Sequence, residues 1–170
     1  MKIVSGKTQA LSFFFVTLLL CFLLHIPANA EWYCAQGSSG QLNDPSQHNT
    51  TVEPKLYYAW GIGYQQKPNA TNWIIFPVPS IALATVQYLI INLNAVLGGD
   101  IYVDRVAVWS GDAKLVSDIT VNWSGDNIGW QLLDLGAPYL VSSLSISLRT
   151  QTGDFGGMLK VYSLCADLVK

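Results

Sequence analysis

Polar and apolar residues alternate along most of this chain beyond residue 55, a period-two pattern that predicts β-strands. Leu56, Tyr58, Trp60, Ile62 and Tyr64 alternate with smaller or polar residues, which predicts a strand over 56–64. Further strands are predicted over 73–78, 85–96, 101–109, 114–121, 128–135, 139–150 and 158–168. In the clearest of them Leu144, Ile146 and Leu148 oppose Ser143, Ser145 and Ser147, so one face is aliphatic and the other hydroxylic. The stretch 85–96 is apolar on both faces, as a central strand requires. Pro77 and Pro79 confine 73–78 to a sheet edge or a strand end. No segment beyond residue 30 sustains a helical period. About eight strands with Gly-rich turns predict an all-β, antiparallel, jelly-roll-like β-sandwich, with a closed barrel as the alternative.

Two segments depart from this pattern. Lys2 and Lys7 precede an apolar run over 11–24, and Ala28-Asn29-Ala30 supplies small residues for a peptidase. Residues 1–30 are therefore read as a cleaved signal helix, with an uncleaved anchor as the alternative. The run falls short of the roughly 20 residues that span a bilayer, so no membrane attachment is expected after cleavage. Residues 31–54 are polar and broken by Gly37, Gly40, Pro45 and Pro54, and read as an irregular N-terminal arm with at most one short strand. Residues 55–170 form the sandwich domain.

A secreted chain changes the meaning of its cysteines. Cys21 leaves with the signal, and Cys34 and Cys165 remain as an expected disulfide. In the chain-entropy model a loop this long contributes about 5 kcal/mol. From residue 31 onward there are seven basic and eleven acidic residues, a net charge of −4. That balance argues against nucleic acid as a partner.

Consecutive antiparallel strands reverse direction, so alternate turns share an end of the sandwich. Loops 65–72, 97–100, 124–127 and 151–157 fall at one end, and loops 79–84, 110–113 and 135–138 at the other. The repeated Trp-Ser-Gly-Asp at 109–112 and 123–126 therefore lies at opposite ends, about 25–30 Å apart, and reads as two ordinary turns. At the first end Asp100, Asp126 and Asp154 each follow a glycine. Asn127, Trp123, Trp130 and Phe155 lie beside them in sequence. Carboxylates and amides suit calcium, which takes several oxygen ligands, and Asp100, Asp126 and Asp154 would be its ligands. With aromatic rings the same groups suit a sugar. Turn chemistry alone also accounts for every Gly-Asp pair.

Other chemistry lacks its parts. His48 is the sole histidine beyond residue 30, and it reads as a surface polar residue of the arm. It has no neighbouring nucleophile pattern and no clustered metal ligands. Aspartate pairs leave a glycan hydrolase open as a third reading. Asn49, Asn69 and Asn122 begin N-glycosylation sequons.

Asn72-Trp73-Ile74-Ile75-Phe76-Pro77-Val78-Pro79 follows Gly61-Ile62-Gly63 and precedes a long apolar strand. This stretch resembles a family of small β-sandwich proteins classed as a domain of unknown function, over roughly 32–168. The chain differs from that family in its paired cysteines. The resemblance implies a compact β fold and assigns no reaction and no functional residue.

Together these features predict a secreted, non-catalytic, disulfide-closed binding module for extracellular carbohydrate or another surface ligand, without a cofactor. A structural protein that packs against other chains at the cell surface is the alternative.

Overall fold

The computed structural model describes residues 31–48, 55–58, 61–79, 83–95, 100–126 and 128–170. The signal segment, the Asn49 sequon and Asn127 lie outside these residues.

Among the described residues eleven strands form two antiparallel sheets: β1 (Glu31–Gln36), β2 (Gln41–Leu42), β3 (Lys55–Tyr58), β4 (Gly61–Gln66), β5 (Thr71–Val78), β6 (Ala84–Ala95), β7 (Ile101–Ser110), β8 (Ala113–Ser124), β9 (Gly129–Val141), β10 (Leu144–Thr152) and β11 (Gly157–Val169). One sheet has the order β3-β4-β11-β6-β9, with β1 also paired to β11, and the other has the order β2-β5-β10-β7-β8. From β4 onward the chain crosses repeatedly between the sheets, the jelly-roll pattern expected from the strand count. The fold is a sandwich and not a closed barrel.

Alternation builds the core. Ile74, Phe76 and Val78 of β5, Val106 and Val108 of β7, and Leu144, Ile146 and Leu148 of β10 face inward from one sheet. Leu89, Ile91 and Leu93 of β6 and Leu159, Val161 and Leu164 of β11 meet them from the other. Tyr64 packs edge-on against Phe76, with ring centroids 6.0 Å apart. Its hydroxyl donates to the Gly37 carbonyl at 2.9 Å, which satisfies the one polar atom this ring carries into the core.

Three segments differ from the sequence expectation. The strand expected over 56–64 is a hairpin in which Tyr58 pairs with Gly61. A reversal this short leaves the alternation unbroken, so the pattern could not reveal it. The turn expected over 135–138 is an irregularity inside β9, whose pairing with β6 jumps from Asp134↔Tyr88 to Tyr139↔Val86. Gly136 there has φ +82°, and its N–H is held by the Asp134 carboxylate at 2.9 Å. The true reversal follows at residues 142–143. The arm is less irregular than its composition implies: β1 joins one sheet and β2 the other.

Cys34 and Cys165 stand opposite each other in the β1–β11 register and are disulfide-bonded, with a Cα–Cα distance of 4.0 Å. The expected bond is present, as a rung between neighbouring strands at the end away from the Asp100 turn.

Candidate functional site

The turns expected at one end do gather there, and backbone hydrogen bonds stitch them. Asn69 N–H donates to Gly153 O at 2.8 Å, Gly153 N–H to Asp100 O at 2.9 Å, and Asp100 N–H to Gly156 O at 2.7 Å. Ala95 N–H ties in the β8–β9 turn through Gly125 O at 3.2 Å. The Trp-Ser-Gly-Asp repeats occupy turns at opposite ends, with φ +61° at Gly111 and +89° at Gly125.

The side chains at this rim differ in their settings. The Asp100 carboxylate folds over Gly153, in the space a β-carbon there would fill. Asp154 and Phe155 are exposed and Asp126 is half-buried. Trp123 packs partly against the core, and Trp130 stands on the outer face of β9. No group of three His, Cys, Asp or Glu among the described residues is placed to hold a metal ion. Asp100, Asp126 and Asp154, expected as a calcium set, share an end of the sandwich and lie on separate turns. Asn69, exposed at φ +50°, sits on the same rim, and Asn122 is exposed on β8.

A concavity lies elsewhere, on the outer face of the β2-β5-β10-β7-β8 sheet. It is a groove of about 640 Å³ lined by Trp73, Ile75, Trp109, Ser145, Ser147 and Arg149, with Lys114 and Asp118 at one side. Alternation puts these residues outside because their neighbours Ile74, Phe76, Val108, Ile146 and Leu148 face the core. Strand register then sets them in rows. Arg149 of β10 lies between Trp73 of β5 and Arg105 of β7, and Ser145 lies between Pro77 and Trp109. The two tryptophans thus flank β10 diagonally, with Cα atoms about 16 Å apart from strand spacing and rise.

Each indole carries a cation. The Arg149 guanidinium lies 6.0 Å from the Trp73 ring centroid, and Lys114 Nζ lies 5.1 Å from that of Trp109. Both cations are anchored. Arg149 Nε donates to Asp104 Oδ1 at 2.9 Å, and a second, shorter contact completes a bidentate pair. Hydrogen bonding to Asp104 raises the Arg149 pKa above its ordinary value. Asp104 also accepts from Gln151 Nε2 at 2.7 Å, and Gln151 Oε1 accepts from Tyr102 at 2.8 Å. Lys114 pairs with Asp118 at 2.5 Å, and Arg105 approaches the same carboxylate at 3.7 Å. The groove therefore offers two fixed aromatic plates, a serine floor, and polar groups whose orientation is set in advance.

Sequence reasoning missed Trp73, Trp109, Asp104, Lys114, Asp118 and Arg149 as one constellation. The serine face of β10 was visible, but the strands beside it were not.

No family model matches the chain, and no curated protein matches it. Among solved structures it is similar to the C-terminal CBM6 of LamC, a marine laminarinase from Zobellia galactanivorans. Identity to that module is 13%, with 80% of this chain and 99% of the other covered and a TM-score of 0.46. A point mutant of the family 29 carbohydrate-binding module CBM29-2 gives 12% identity, coverages of 82% and 92%, and a TM-score of 0.49. A family 35 module from Clostridium thermocellum gives 11%, 80% and 98%, and 0.42. Likeness of this degree puts no residue of this chain in correspondence with a ligand contact of those modules.

Proposed function

We propose that this protein is a secreted, non-catalytic carbohydrate-binding module and that the groove over β5, β10 and β7 holds an extended glycan. The observation that carries the reading is the pair of indoles, each backed by an anchored cation, at either end of a serine-floored groove. A pyranose presents an apolar C–H face to a ring and hydroxyls to polar neighbours. Trp73 and Trp109 supply the first, and Ser145, Ser147 and Arg149 supply the second. The spacing of the plates suits an oligosaccharide and not a single sugar. Asp104 and Asp118 are each tied to a cation, an arrangement suited to holding hydroxyls and poorly suited to moving a proton to a leaving group.

Titration calorimetry against a panel of neutral and acidic oligosaccharides tests this. Trp73→Ala and Trp109→Ala should each weaken binding about 30-fold, the loss typical of an aromatic anchor, with the melting temperature nearly unchanged. Binding that survives the double variant rejects the groove. Absence of binding by the wild type to every glycan rejects the function.

A further inference from the structure

We propose a second glycan site on the opposite sheet, centred on Trp130, which would make the module divalent. This inference rests on the carbohydrate-binding reading above. Trp130 of β9 is 63% exposed and stands directly opposite Asn92 of β6. Asn94 lies two residues along the same face, and its Oδ1 accepts from Ile128 N–H at 3.3 Å, which orients the amide. Tyr162 closes the row where the β11–β6 register slips between Val161 and Ser163. These residues, with Leu93 and Gly129, line a shallow depression of about 330 Å³. Gly129 has φ +65°, and a β-carbon there would meet no heavy atom within 4 Å.

The lining is an aromatic pair with an amide pair and carries no charge. An apolar plate beside oriented amides recognises a neutral sugar, whose ring face stacks while its hydroxyls exchange hydrogen bonds. The ion-paired groove on the other sheet differs in chemistry. The two sites also face opposite ways across sheets about 10 Å apart, so one short glycan cannot occupy both. The expected behaviour is cross-linking: one protein chain joins two polysaccharide strands.

The test uses neutral cello-, laminari-, xylo- and mannohexaose with wild type, Trp130→Ala and the Trp73→Ala/Trp109→Ala double variant. Titration calorimetry should give two sites for wild type and one for each variant. On addition of the hexaose that binds, the Trp130 indole N–H resonance should shift in the double variant. Polysaccharide built from the binding sugar should co-precipitate with wild type and with neither variant. One site in wild type, abolished by the double variant and untouched by Trp130→Ala, overturns the second site and leaves the groove reading standing. A concentration-dependent dimer that Trp130→Ala converts to monomer, with one site per chain, overturns it in favour of self-association. No binding by wild type to any of these neutral hexaoses overturns the second site, and the acidic oligosaccharides of the first panel then decide the groove.

Discussion

His48 illustrates how a single residue can reverse its expected place. Its polar surroundings in sequence suggest a surface role, yet it is 1% exposed. Nδ1 lies 2.6 Å from the Gln65 carbonyl and must donate to it, so Nε2 accepts from Asn72 Nδ2 at 2.9 Å. Asn72 is fixed on its other side as well. Its Oδ1 accepts from the backbone N–H groups of Asp44 and Trp73 at 3.0 and 2.8 Å, and Nδ2 donates to Asp44 O at 2.8 Å. The amide thus sets the backbone at the start of β5, immediately before the groove tryptophan. His48→Ala would leave buried partners unsatisfied and should cost about 1–3 kcal/mol, read as a lower urea midpoint. An unchanged midpoint would show that water replaces the ring. Nothing local in the sequence marks His48 as buried, because both of its ring partners lie more than fifteen residues away.

At the scale of elements, the turn between β1 and β2 explains why two glycines stand so close together. A β-carbon on Gly37 would overlap the Val161 carbonyl oxygen, and one on Gly40 would overlap the Tyr64 hydroxyl and crowd the Phe76 ring. The chain passes here from one sheet to the other, pressed against the core. Gly37→Ala meets backbone that cannot rotate away and should destabilise by about 1–3 kcal/mol. Thermal melts of Gly37→Ala and Gly40→Ala, compared with an exposed-site control, check this. Alternation made most strands legible, from β5 through β11, because each has one face in the core. It could not reveal β2, which has two residues and no period. It could not reveal the pairing of β1, which depends on a partner more than a hundred residues away. Gly136 and Pro138 look like a turn in sequence, and only the resumed pairing at Tyr139 shows that the strand continues.

At the scale of the molecule, counting strand reversals brought the turns around Asn69, Gly125 and Gly153 to one end, since that requires direction alone, and it misplaced one reversal, from 142–143 to 135–138. The groove required sheet order, which places β5 and β7 on either side of β10, and no sequence pattern supplies it. Sheet order also separates the disulfide from the groove. The disulfide lies in the β1–β11 sheet, and the groove lies on the other. Cys34→Ser/Cys165→Ser should lose about 2–5 kcal/mol of stability while keeping groove affinity within twofold at temperatures where it stays folded. Titration calorimetry on the folded variant decides this, and a large affinity loss would tie the two sheets together.

The placement of that disulfide also governs how the protein answers a pull. β1 and β11 are antiparallel, so Glu31 and Val169 lie at the same end. Tension on both would open the strands like a zipper, one pair at a time. Glu31↔Leu168, Trp32↔Asp167 and Tyr33↔Ala166 would part first, and the next pair is Cys34↔Cys165. The opening stops there, and the 131-residue span behind the bond bears no load. In a force-extension experiment the oxidised protein should yield almost no added length, whereas the reduced protein should release that whole span at low force.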